Sequence, residues 1–123
     1  MTKILGIDYG RKKIGLARAD GSLAEPWKVI KVEDFEEAVA KVLRVLGILQ
    51  VDKVIVGVSE GRMGEESEKF AERIGAETFD ETLSTHDAQE LSKEAKIARE
   101  KRKNLEDAYA ACVMLQSYLD NYV

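Results

Sequence analysis

A short uncharged run that ends at an acid and a glycine most constrains how this chain folds. Residues 4–7 (ILGI) lead directly into Asp8, and Gly10 follows two positions later. A short apolar run bounded by turn residues predicts a strand that is buried on both faces. A carboxylate at the end of such a strand is costly to remove from water unless a partner compensates it. The run therefore predicts either a plain hairpin turn that begins at Asp8, or a strand end that carries a functional acid.

The remaining chain predicts strands that alternate with helices. After a returning hairpin strand at 13–17, strands are predicted at 27–32, 53–58 and 77–81. Helices are predicted at 35–46 after an Asp34 cap, at 65–74, at 84–95, and from residue 105 onwards after an Asn104 cap, with Gly47 and Gly75 ending the first two. This order predicts an α/β fold in one domain, residues 1–123, with a mixed five-stranded sheet and helices on both faces.

Helical spacing of apolar residues predicts which side chains enter the core. In the first helix they are Phe35, Val39, Val42, Leu43 and Leu46. In the last helix they are Ala108, Ala111, Cys112, Leu115 and Leu119. Free cysteine usually packs as a small apolar residue, so Cys112 is predicted to be structural.

Composition narrows the class of protein. Hydrophobic residues make up 45% and charged residues 34% of the chain, which is typical of a globular protein. No apolar run approaches the roughly 18 residues that a membrane span requires, so no membrane partner is expected. One cysteine excludes an internal disulfide and favours a cytoplasmic location, and one histidine excludes a multi-histidine metal site.

Positive charge is clustered although the net charge is −4. One cluster is Arg11, Lys12 and Lys13 in the predicted turn, and a second lies between residues 96 and 103 and includes Lys101, Arg102 and Lys103. Local clusters matter more than the total charge for binding a polyanion. Each cluster is either solvated surface or a contact for phosphates, and the pattern alone leaves both open.

Acids stand at the ends of three predicted elements. Asp8 follows the first strand, Asp80 and Glu81 end the last strand, and Asp107 lies in the first turn of the final helix. Strand ends at one edge of an α/β sheet usually bind ligands, and oxygen donors without histidine or cysteine favour Mg²⁺ or Mn²⁺. Such cations serve phosphodiester hydrolysis. Plainer roles stay open, because Asp107 also suits a helix N-terminus and the other two also suit a surface strand end.

Four segments, in chain order, carry a family resemblance. They are residues 6–17 (GIDYGRKKIGLA), 54–57 (VIVG), 80–85 (DETLST), and 107–111 with 115–119 (DAYAA and LQSYL). They resemble the YqgF/RuvX family of Holliday-junction-resolvase-like bacterial nucleases, over nearly the whole chain. The resemblance implies a ribonuclease-H-like fold and cleavage of the precursor of 16S ribosomal RNA during ribosome biogenesis. The older family label implies branched DNA as the substrate.

Matching motif positions imply the site residues. Asp8, Glu81 and Asp107 would be the catalytic metal ligands, with Asp80 as the alternative to Glu81 and Mg²⁺ or Mn²⁺ as the cofactor. Both basic clusters flank proposed ligands in the sequence, so they are expected to hold phosphates of a nucleic-acid partner. The protein is expected to be a monomer or a weak homodimer.

Three positions depart from the family pattern. Thr82 replaces the usual arginine, which would remove a phosphate or carboxylate contact of the family pattern. Val58 and Ser59 replace the usual Leu-Pro, and resolvases of this fold commonly carry a catalytic acid on that strand, where this chain has Gly57 and Val58.

Two other functions remain open from the sequence. The hairpin from Asp8 to Gly10 also resembles the phosphate-binding hairpin of actin-like ATPases and sugar kinases. Those proteins close a second, similar domain over the nucleotide, which 123 residues do not supply. A catalytically inactive nucleic-acid or protein-binding module of the same fold is the third possibility.

Overall fold

The sheet is mixed and five-stranded, as predicted. The structure, a computed structural model, describes residues 2–58, 61–80 and 106–122. The strands are β1 (Lys3–Asp8), β2 (Lys13–Asp20), β3 (Ala24–Lys31), β4 (Lys53–Val58) and β5 (Glu77–Asp80); the helices are α1 (Phe35–Ile48), α2 (Arg62–Ile74) and α3 (Glu106–Tyr122). The strand order is β3-β2-β1-β4-β5. Strands β1 and β2 are antiparallel, as are β2 and β3, whereas β1 and β4 are parallel, as are β4 and β5. Since β1 is the middle strand of the five, Asp8 at its end lies at the centre of the sheet.

Helices cover both faces of the sheet, which confirms the predicted architecture. Helices α1 and α2 form one core with the face that carries Leu5 and Ile7. Helix α3 forms a second core with the opposite face, which carries Ile4. Successive residues of a strand point to opposite faces, so Asp8 lies on the same face as Ile4, the face of α3.

Helix α1 begins at its predicted cap and ends slightly later than predicted. The Asp34 Oδ1 atom accepts a hydrogen bond of 2.8 Å from the backbone nitrogen of Glu37. The helix continues past Gly47 to Ile48, because nothing at Gly47 forces the chain out of helical geometry and the helix is closed by the Leu49 backbone nitrogen bonding to Val45. The predicted cap is confirmed, and the predicted stop is displaced by about one residue.

One predicted core residue of α1 is wrong. Leu43 is 45% exposed, whereas its neighbour Val42 is fully buried. Consecutive residues are about 100° apart around a helix. The buried side of α1 is centred on Ala38, Val39 and Val42, so Leu43 lies at the margin of that side and faces solvent.

The predicted core side of α3 is confirmed at every position: Ala108, Ala111, Cys112, Leu115 and Leu119 are buried. Burial raises the pKa of the Cys112 thiol to about 11, which keeps it protonated and unreactive near neutral pH. None of the described helices is long and apolar enough to cross a membrane. The predicted Asn104 cap and the predicted helix at 84–95 lie outside the described residues.

Candidate active site

The first turn of α3 packs directly against β2 at Gly15. A Cβ atom on Gly15 would overlap the carbonyl oxygen of Asp107 and would lie 2.8 Å from the backbone nitrogen of Ala108. Only glycine leaves room for such a close approach of another backbone. Gly15 therefore determines where helix α3 begins on the sheet.

This contact brings Asp107 beside Asp8. The β1–β2 register pairs Asp8 with Gly15, and cross-strand partners have Cα atoms about 4.5–5.5 Å apart. The backbone of Asp107 touches Gly15 on the α3 face, which is also the face of Asp8. Both acids are half-buried. Two of the acids predicted from the sequence thus lie at one place, one at a strand end and the other at a helix start.

Of the acidic pair Asp80 and Glu81, the structure describes Asp80 alone, at the end of β5. Phe79 packs against Tyr118 of α3, with ring centroids 5.8 Å apart. Strand alternation then places the next residue, Asp80, on the face of α1 and α2, where it is paired in register with Val58. Glu81 lies outside the described residues. Within residues 2–58, 61–80 and 106–122, no three acids, histidines or cysteines form a group that could hold a metal ion.

Strand β4 contributes no acid next to Asp8. In the parallel register Val56 is the partner of Ile7. Gly57 and Asp8 are therefore the next residues along the two neighbouring strands. Alternation places Gly57 on the α3 face, where a side chain would point towards the site. Strand β4 therefore offers a glycine, and no carboxylate, beside Asp8.

A hydrogen-bonded cluster of Tyr9, Arg11 and Glu66 fixes the segment that follows Asp8. The Tyr9 hydroxyl donates to Glu66 Oε1 at 2.6 Å, and Arg11 Nε donates to Glu66 Oε2 at 2.9 Å. Burial raises the pKa of Tyr9, and the hydrogen bond from Tyr9 lowers the pKa of Glu66, with Arg11 lowering it further. At neutral pH the cluster therefore holds a neutral phenol and a charged carboxylate.

Aromatic side chains of α1 and α2 pack against this cluster. The Tyr9 ring lies 4.8 Å from the Phe70 ring and 6.2 Å from the Phe35 ring, measured between centroids. Arg73 lies over Phe35 and forms a bidentate pair with Glu36, with N···O distances of 2.7 and 2.8 Å. The residue after Asp8 is thus anchored to both α1 and α2.

The predicted phosphate-binding residues differ in their surroundings. Arg11 forms the ion pair with Glu66, although its side chain remains 64% exposed. Lys12 and Lys13 are exposed at the same turn. The second cluster, Lys101, Arg102 and Lys103, lies outside the described residues.

Comparison with known proteins decides the family. The model of a family described as RuvX, Holliday junction resolvase, matches residues 2–121. The chain belongs to the RuvX family. Relatives named as candidate pre-16S rRNA nucleases from Endomicrobium trichonymphae and Clostridioides difficile (strain 630) are each 36% identical to it. The alignments cover 98% and 96% of this chain and 96% and 94% of the two relatives.

Solved structures show that this RuvX chain has the ribonuclease-H-like fold. The RuvC protein of T. thermophilus, solved with a Holliday junction substrate, is 19% identical with a TM-score of 0.60, covering 98% of this chain and 96% of RuvC. The Fowlpox virus resolvase, solved with Holliday junction DNA, is 17% identical with a TM-score of 0.64, covering 98% of this chain and 99% of the resolvase. The fold implied by the sequence resemblance is confirmed.

Removing the Tyr9 hydroxyl from this RuvX chain is expected to loosen the segment after Asp8. Tyr9→Phe keeps the ring but deletes the bond to Glu66, so the free energy of unfolding should fall by about 1 kcal/mol in urea titrations. The pKa of Glu66 is lowered in the folded state, so its contribution to stability is lost as the pH falls below about 4.3. Glu66→Gln should remove that acid-dependent loss.

Glu36→Gln is the matched control for both variants. It removes the ion pair between Glu36 and Arg73 beside the same aromatic rings. The hydrogen bonds of Tyr9 and Arg11 to Glu66 stay intact. It should keep the acid-dependent loss that depends on Glu66. If Glu66→Gln and the parent lose stability identically between pH 5 and pH 3, to be read from urea midpoints, Glu66 does not stabilise this segment.

Proposed function

We propose that this RuvX chain is a divalent-metal-dependent nuclease that hydrolyses phosphodiester bonds in the 5′ processing of pre-16S ribosomal RNA. The observation that carries the proposal is the contact between Asp107 and Gly15, the cross-strand partner of Asp8. Relatives across nearly the full length carry the name of candidate pre-16S rRNA nucleases, which supports the substrate. The proposed place of action is the cytoplasm, where ribosomes are assembled.

The donor atoms fit a hard divalent cation. Asp8 and Asp107 offer carboxylate oxygens, which suit Mg²⁺ and Mn²⁺. The sole thiol, Cys112, is buried in the α3 core, where a proton stays on it. We propose Asp8, Asp107 and Glu81 as the residues that would hold Mg²⁺ or Mn²⁺.

Each side chain has a definite task in the proposed reaction. A bound cation would lower the pKa of a water molecule and neutralise charge on the phosphodiester oxygens. Asp8 extends from a central strand and Asp107 from a helix start, so both carboxylates are held by rigid elements. Lys12 and Lys13 would bind phosphates and position the RNA without reading its sequence, and Lys101, Arg102 and Lys103 would do the same.

Replacing Asp80 and Glu81 separately tests which of them acts. Asp80→Asn should keep cleavage close to the parental rate, because strand alternation places Asp80 on the face opposite Asp8. Glu81→Gln should lower the cleavage rate by orders of magnitude while the melting temperature in EDTA changes little. The reverse pattern, loss in Asp80→Asn and activity in Glu81→Gln, would exchange their roles.

Cleavage of defined substrates tests the function itself. An end-labelled RNA that spans the 5′ end of 16S rRNA with its precursor extension should be cut in Mg²⁺ or Mn²⁺ and left intact in EDTA. The mature 5′ end without the extension is the matched control and should stay intact. Full cleavage in excess EDTA by clean protein would contradict a metal-dependent reaction.

A branched-DNA resolvase is the second candidate, favoured by the description of the matched family. A synthetic Holliday junction in the same assay separates the two. Cleavage of the junction alone would replace RNA by branched DNA, and binding without cleavage of either would indicate an inactive module. Turnover of ATP without cleavage would indicate the nucleotide-binding alternative.

A further inference from the structure

The edge strand β3 contains a bulge that places two consecutive side chains on one face of the sheet. The β2–β3 register shifts between Leu16 and Ala17, which pair with Lys28 and Pro26, so Trp27 is the extra residue. Trp27 packs against the core of α1 and α2, and Lys28 is opposite Leu16 of that same core. A bulge redirects a side chain in this way, and bulges are common at sheet edges and next to active sites.

Two cations lie against the ring of Trp27. Lys28 Nζ is 4.5 Å and Arg18 Cζ is 5.4 Å from the ring centroid. Both cations are exposed, and Trp27 is half-buried. Glu25 is opposite Arg18 in the register, yet none of the ion pairs among the described residues involves Arg18 or Lys28. Their positive charge is therefore available to a partner.

Further cations lie farther along the same edge of the sheet. Lys31 is three residues after Lys28, about 10 Å along the strand, and is paired in register with Lys13. The backbone nitrogen of Val32 donates to the carbonyl oxygen of Lys12 at 2.9 Å, so the end of β3 is joined to the turn after Asp8. Strand alternation places Lys31 and Lys13 on the face of α3 and Lys28 on the face of α1 and α2, so cations line both faces of this edge in a chain whose net charge is −4.

We propose that Trp27, Arg18 and Lys28, named here the edge patch, bind a single-stranded segment of RNA at the edge of the sheet, on the face opposite Asp8. An aromatic ring flanked by cations is how proteins bind unpaired nucleotides, because a base stacks on the ring while the cations contact the phosphates. Paired bases are already stacked within a duplex and offer the ring no free face. The inference rests on the proposed function, since it assigns to the edge patch a part of the RNA that lies outside the cleavage site.

Intrinsic fluorescence tests the edge patch directly, because Trp27 is the only tryptophan of the chain. The full chain in EDTA is titrated with a 12-nucleotide oligouridine, and the anisotropy of a labelled oligomer is followed in parallel. Saturable quenching with the same midpoint as the anisotropy change is expected. Lys28→Ala should weaken binding several-fold and lower the salt slope by about 0.7. Arg44→Ala, which removes an exposed cation of α1, is the matched control and should change neither.

Three results would overturn the inference. Binding by anisotropy without any change in Trp27 fluorescence would place the RNA elsewhere. Equal quenching by a duplex of the same length would exclude a single-stranded partner, and the absence of binding would exclude RNA. Trp27→Phe, which retains a stacking ring, should bind more tightly than Trp27→Leu, and equal affinity would also count against stacking.

The result that would contradict the edge patch differs from the result that would contradict the proposed function. If pre-16S RNA is cleaved in Mn²⁺ but the fluorescence of Trp27 never changes, the edge patch is wrong and the nuclease stands. If oligouridine quenches Trp27 but no RNA is cleaved in Mn²⁺, the edge patch stands and the nuclease is wrong.

Discussion

Asp107→Asn is expected to reduce cleavage by orders of magnitude without lowering the stability of the metal-free protein. Two carboxylates that share one site repel each other when no cation is present, so removing one charge relieves the repulsion. The melting temperature in EDTA should therefore stay the same or rise. Asp8→Asn should give the same result, because the register places the two acids beside the same glycine.

The gain in melting temperature on addition of Mn²⁺ should also distinguish the parent from these variants. A ligand that binds only the native state stabilises it by about 2.7 kcal/mol at a concentration of 100 times its dissociation constant. The parent should gain melting temperature in Mn²⁺, and Asp107→Asn should gain much less. Both proteins would be melted in EDTA and in Mn²⁺, and cleavage rates would be measured on the same samples.

Glu106→Gln is the matched control for Asp107→Asn. Both acids lie in the first turn of α3, so both contribute to the favourable interaction with the helix dipole. If Asp107 served only the helix, both variants would lose about 0.3–1 kcal/mol and both would keep cleavage. Asp107→Asn that melts lower in EDTA and cuts at the parental rate would remove Asp107 from the site.

Gly15→Ala is expected to cause a large loss of stability for the addition of a single methyl group. The added Cβ would overlap the backbone of Asp107, which cannot move aside without displacing the start of α3. Overpacking typically costs about 1–3 kcal/mol, and a backbone neighbour puts this case at the upper end. Because the displaced turn carries Asp107, cleavage should fall as well.

The same substitution at another glycine, Gly47→Ala, is expected to raise the stability of the protein. Gly47 lies within α1, and no neighbouring atom comes within 4 Å of the place that a Cβ atom would take, so the added methyl group meets open space. Alanine in a helix interior is favoured over glycine by about 0.5–1 kcal/mol, and because Gly47 lies in the last turn of α1 this variant should gain a part of that amount. Urea midpoints of both variants decide the comparison. Equal stability of Gly15→Ala and the parent would contradict the close approach of α3 to β2.

Local patterns predicted most of the fold because they depend on neighbouring residues. The apolar run before Asp8 and the alternation of strands with helices are properties of short segments, and the sheet followed from them. At the margin of α1 such patterns were not enough, since Leu43 and Val42 are both apolar and only packing shows which of them is buried.

The contacts that organise the site could not be predicted from such patterns. Glu66 is 57 residues from Tyr9, and a glutamate on a helix surface is ordinarily solvated. The glycine at position 15 fits any hairpin, and only the position of α3 explains why no side chain is allowed there. The face of Asp80 depends on the strand register, which a change of one residue would reverse.

The most direct test of the central claim is the anomalous density of crystals soaked in Mn²⁺. A peak within about 2.5 Å of carboxylate oxygens of both Asp8 and Asp107 is the predicted result, in keeping with oxygen coordination of such cations. The same soak of Asp8→Asn crystals should lose the peak. A parent crystal whose only peaks lie away from both carboxylates at saturating Mn²⁺ would contradict the proposed metal site.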